Sequence, residues 1–200
     1  MSSTIARTPE ATRTVNRVPM FIKSTLAGGA ILFAWQFISW SLLPFRNAVL
    51  QSFRDESAVA ASVVANAPRS GVYVLPLSRD MSSEPPEQAK AAEKRALQGP
   101  LVFASIRIGG MKPMGFYLVV QFITQLVNAF LLSIVLTQTK VRSYGGRVLF
   151  IFTLALLAGV AGHVPNWNWF NFSTSYTALE ISDLLVGWTL AGLVIAKIID

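Results

Sequence analysis

Four apolar blocks, at 25–44, 113–138, 148–164 and 178–200, constrain this chain more than any other feature. Each is long enough to cross a bilayer as a helix, since about 20 residues rising 1.5 Å apiece cover roughly 30 Å of hydrocarbon. With 52% hydrophobic and 14% charged residues in a 200-residue chain, too little polar surface exists for a water-soluble domain of this size. The expected fold is an all-α membrane protein: a four-transmembrane-helix bundle with a small α+β extracytoplasmic domain between helices 1 and 2.

Residues 1–24 form a polar, basic tail, with Arg7, Arg13 and Arg17. The apolar block behind it ends at Pro44, Phe45 and Arg46 and shows no small-residue cleavage site, so it is read as an uncleaved signal anchor and first span. Residues 45–112 hold most of the charge and form the extracytoplasmic domain. Val49, Phe53, Val59, Val63 and Val64 fall at helical spacing, which predicts an amphipathic helix continuing from the first span. GVYVLPL and LVFASIRI read as two strands of a hairpin, and a short helix is expected from Glu87 to Leu97 between them. So few elements bury little apolar surface alone, and the domain is expected to rest on the membrane helices or on a partner.

The link at 139–147 contains Lys140, Arg142 and Arg147, whereas the link at 165–177 lacks Lys and Arg. The positive-inside rule places the first in the cytoplasm. Both termini are then cytoplasmic and 45–112 lies on the opposite side, in a bacterial inner membrane.

Polar side chains within the spans are the candidate site. Gln121, Gln125 and Asn128 recur at spacings of four and three, so they share one face of the second span. That face must point inward, because an amide facing lipid loses its hydrogen bonds without replacement. Gln36 on the first span and Asp183 on the fourth are its expected partners. Glu180 and Asp183 share a face near the start of the fourth span, and His163 lies at the matching end of the third. An acid inside a membrane raises ion or proton handling. Helix-dipole stabilisation and interhelical amide bonds explain the same residues as structural glue. Gly28, Gly29, Gly159, Gly162, Gly187 and Gly192 mark close helix contacts.

Trp167, Trp169, Phe170, Phe172 and Tyr176 make the 165–177 link an aromatic extracytoplasmic loop. Two readings stay open for it: an interfacial belt, or a ring-lined wall for a quinone, carotenoid or lipid tail.

A chain without cysteine forms no disulfide or thiolate metal site, and a single histidine cannot supply bis-histidine haem ligation. No cofactor is expected. The +7 formal charge is spread over tail, loops and helix ends rather than gathered in a run, which speaks for membrane topology and against nucleic acid. GGMKPMG at 109–115 is glycine-rich but lacks the spacing of a phosphate loop. With no nucleophile or base in a catalytic context, the chain is not expected to be an enzyme.

Through DESAVAASVVANAPRSGVYVLP, GPLVFASIRIGGM and GHVPNWNWFNFS, residues 25–198 resemble a group of uncharacterised four-span inner-membrane proteins of proteobacteria. The resemblance implies the architecture and carries no activity, cofactor or catalytic residue. The expected function is a non-catalytic accessory, assembly or scaffold protein of a larger inner-membrane complex. A small transporter or channel using the polar face of the second and fourth spans is the alternative, and a binder of an apolar small molecule is the third. Membrane lipids and a protein partner, either a membrane complex or further copies of the chain, are the expected partners.

Overall fold

The computed structural model describes residues 17–77 and 85–199. Residues 1–16 of the basic tail and 78–84 of the insertion lie outside the described residues. Four helices are long and apolar enough to cross a membrane: α1 (Arg17–Ser41), α5 (Met114–Gln138), α6 (Tyr144–Phe170) and α7 (Thr174–Ile198). Between α1 and α5 come α2 (Phe45–Val49), α3 (Glu56–Asn66), β1 (Gly71–Leu75), α4 (Pro86–Gln98) and β2 (Val102–Ile106).

Local chemistry sets the helix ends. Pro44 disfavours helical geometry at the residue before it, and α1 stops at Ser41. Pro113 immediately precedes α5, whose first turn needs no internal N–H donor. Ser143 and Ser173 open α6 and α7 by accepting hydrogen bonds from the backbone N–H groups of Gly146 and Tyr176, both at 3.2 Å. Asn171 takes the left-handed conformation at the end of α6, with φ 55°. This end and the Ser173 cap reverse the chain within residues 171–173.

Several boundaries differ from the sequence reading: α6 and α7 begin at Tyr144 and Thr174, four residues before the expected 148 and 178. The first helix begins at Arg17, inside the segment read as tail. The amphipathic helix expected to continue from the first span is broken into α2 and α3, with residues 50–55 non-helical between them, because Asp55 starts a new helix by accepting from the Ala58 N–H at 2.9 Å. Most of the expected aromatic loop is helix: α6 runs through Pro165 to Phe170, so Trp167, Trp169 and Phe170 belong to it. Proline there removes one backbone hydrogen bond without ending the helix.

The long helices stand in the order α5–α1–α7–α6, each packed on its neighbour, with lighter contact from α5 to α6 and α7. Glycines permit the close approaches. A methyl at Gly29 would lie 3.1 Å from the Leu126 Cα, and one at Gly187 would lie 2.8 Å from Cδ1 of Trp35. Gly162, by contrast, faces open space and makes none of the close contacts expected of it. At the end of the layer distant from the hairpin, Leu132, Leu136, Ile151, Ala191 and Ile195 form a closed apolar core from three of the long helices, and Leu32 of α1 joins it. Ser133 donates to Ser24 at 2.9 Å inside this packing, tying α5 to α1.

The strands pair antiparallel, with Gly71 opposite Ile106 and Leu75 opposite Val102. The sheet is held to the bundle through aromatic rings: Phe103 of β2 stacks on Phe170 with centroids 4.0 Å apart and lies 6.4 Å from Phe172. Neither α3 nor α4 buries a single residue.

Candidate functional site: a buried charge cluster and an amide cluster

Apart from the Ser24–Ser133 pair and other side-chain hydroxyls, the polar side chains of the long helices gather from mid-layer toward the hairpin, in two adjoining groups. The first group is made of amides. Gln36 of α1 accepts from both Gln121 and Gln125 of α5, at 2.5 and 2.6 Å, and Asn128 donates to Gln125 at 3.1 Å. Positions 121, 125 and 128 line one helix face as i, i+4 and i+7, so 121 and 125 meet Gln36 directly and 128 joins through Gln125. One glutamine carbonyl thus satisfies two donors from the neighbouring helix, which removes the cost of placing those amides in an apolar layer.

The second group is ionic. Arg46 of α2 donates to Glu180 at 2.5 Å and to Asp183 at 3.2 Å. The Trp35 indole N–H donates to Asp183 through both its carboxylate, at 3.0 Å, and its backbone carbonyl, at 3.1 Å. The guanidinium of Arg46 lies 3.4 Å from the ring centroid of Trp40. Side-chain exposure of Arg46, Glu180 and Asp183 is 8%, 15% and 12%, so the three charges are largely withdrawn from solvent. Low dielectric strengthens their attraction and makes any unpaired member costly. The Arg46 Nε is buried without a hydrogen-bond partner.

Asp183 is therefore not a partner of the α5 amides, as the sequence reading expected, but of Arg46 and Trp35. Nor do Glu180 and Asp183 cap a helix. Because α7 begins at Thr174, Asp183 is nine residues in, about 14 Å along the axis, and the cap is Ser173. Glu180 and Asp183 are three residues apart on one helix face, which lets a single guanidinium span both.

The two groups border one cavity of about 310 Å³. Trp35 and Gln36 line it from α1, Gln125 and Asn128 from α5, His163 from α6, and Glu180 and Asp183 from α7. Gln121 is joined to this set only through Gln36. Ala129, Ile151, Ala191 and Ile195, none of them exposed, occupy the interior beyond the cavity. The polar lining therefore ends on an apolar floor.

The aromatic residues divide. Phe170 and Phe172 seat Phe103, Tyr176 packs 5.6 Å from Phe172, and Trp167 donates to Thr174 at 3.0 Å across the α6–α7 reversal. Trp169 is 73% exposed and takes no part.

Arg46, Trp35 and Trp40 are absent from the sequence-derived set. A pair of acids within an apolar layer requires a counter-charge, and Arg46, just past the end of the first span, was the basic residue at matching depth. Trp35 carried no such signal. Compared with protein-family models, with curated proteins and with solved structures, the chain matches none.

Proposed function

We propose that this chain is a non-catalytic accessory, assembly or scaffold subunit of a larger bacterial inner-membrane complex. Both termini are cytoplasmic in this reading, and the region between α1 and α5 lies on the other face. The observation that carries it is a region between α1 and α5 in which, among the described residues, only Arg46 and Ala67 are buried. Helices of 11 and 13 residues are marginal in water unless an apolar face is packed, yet no residue of α3 or α4 is fully buried. Val64, Val72, Leu77 and Leu97 of this region are all more than half exposed. Apolar surface left open on ordered elements is what a protein partner covers. The basic α5–α6 link, with Lys140 and Arg142, supports the orientation.

A small transporter is the second reading, favoured by the polar cavity. The apolar floor beneath that cavity weighs against a path through one copy. Gentle-detergent extraction of the tagged chain from its native membrane, followed by native-size separation, tests the proposal. Stoichiometric migration with a larger assembly is expected; migration alone or as a homo-oligomer contradicts it.

A further inference from the structure

The charges around the cavity do not balance. With His163 of the lining counted as neutral, Arg46 supplies one positive charge against the carboxylates of Glu180 and Asp183, leaving one formal negative charge in excess beside a partly open cavity. Both Asp183 carboxylate oxygens are engaged, one by Trp35 and one by Arg46, but only Oε1 of Glu180 accepts a hydrogen bond among the described residues. Asn128 uses one amide N–H on Gln125, and its carbonyl oxygen takes no hydrogen bond among the described residues. A free carboxylate oxygen and a free amide carbonyl thus belong to residues lining the same 310 Å³ space, which is in the size range of small-ligand sites. The complement to acceptors bearing excess negative charge is a cation that carries its own donors. A bare metal ion suits it poorly, because no group of three or more Asp, Glu or His among the described residues is placed to hold one.

We propose that this cavity binds a primary ammonium group, carried either by a small free amine or by the headgroup of an aminophospholipid. The ammonium donates to Glu180 and Asn128 and restores neutrality beside the Arg46 pair. Trp35 and Trp188, which also line the space, supply aromatic surface of the kind that accommodates organic cations. This site is independent of the accessory-subunit reading: a scaffold and a transporter would carry it equally.

The test uses the full chain in nanodiscs of phosphatidylglycerol alone, titrated with ethanolamine at ionic strength held constant with sodium chloride and followed by calorimetry. Saturable binding is expected, weakened about tenfold or more in Glu180→Gln, as for loss of one charge-assisted hydrogen bond. Since Glu180→Gln also removes a partner of Arg46, Leu184→Trp provides a second variant that fills the cavity without altering a charge; it should abolish binding while the helices stay folded by circular dichroism. Repeating the titration in discs containing phosphatidylethanolamine separates the sources. Competition there, with that lipid retained on the protein in native mass spectrometry, assigns the site to the headgroup, and unchanged binding assigns it to a free amine. The proposal is overturned if the folded protein shows neither saturable ethanolamine binding nor retained phosphatidylethanolamine, or if binding is the same in both variants as in the parent chain.

Discussion

Arg46 sits where three constraints meet. It stands just beyond the end of α1, it is only 7% exposed, and it is bonded to two acids of α7. Arg46→Gln would strand both carboxylates in a largely desolvated site, and the loss of one partner of a buried pair costs about 3–5 kcal/mol. Thermal unfolding in detergent should show that loss, with partial recovery when Asp183→Asn is added, because the second change removes a stranded charge. Gln36→Leu should cost less. Its two interhelical bonds are worth about 0.6–2 kcal/mol each in membrane proteins, and the same unfolding assay should rank it below Arg46→Gln. Gly187→Ala drives a methyl against Trp35, an overpacking worth about 1–3 kcal/mol. Quenching or shift of Trp35 fluorescence, read in a chain with its other tryptophans replaced by phenylalanine, should report the displaced indole. The amide cluster was legible in the sequence because spacings of four and three define a helix face by arithmetic. Arg46 was not, because its position depends on how Pro44 and α2 fold the chain back onto α7.

Single residues also decide the elements. Pro165, read as the first residue of the aromatic loop, lies inside α6, where the loss of one N–H is tolerated; the helix instead ends at left-handed Asn171. That shift turns three of the expected loop aromatics into helix residues and leaves a short reversal that seats the hairpin. Phe103→Ala should therefore detach β1–β2 from the α6 end. An aromatic pair contributes about 0.5–1.5 kcal/mol beyond its buried area, so hydrogen exchange in residues 71–75 and 102–106 should rise while the long helices keep their protection. If exchange rises in α6 and α7 to the same extent, the hairpin is part of the bundle rather than a unit seated on it. The strands were readable from their β-branched and aromatic runs between proline and glycine. The split of the amphipathic helix into α2 and α3 was not, since its apolar spacing continues across residues 50–55 and only the capping by Asp55 marks the restart.

Over the whole molecule, composition made the number of apolar helices plain, while their order α5–α1–α7–α6 depends on which glycine faces which neighbour, a tertiary fact. Gly29 against Leu126 and Gly187 against Trp35 bring α1 between α5 and α7. This arrangement gives the layer two unlike ends: a closely packed, mostly apolar core at one, and at the other a cavity bordered by paired charges and amides. Polar residues inside an apolar layer raise the question of a conduit, and the buried side chains beyond the cavity weigh against one through a single copy. The absence of native cysteine allows a direct measurement. Single cysteines at Asn128 and Ser133 would be reacted in oriented vesicles with a small, membrane-impermeant thiol reagent, added from one face and then from the other. The account predicts that Asn128→Cys reacts from the hairpin face alone and that Ser133→Cys is inert from both. Labelling of either position from the opposite face would show a water path through the layer and contradict the closed floor.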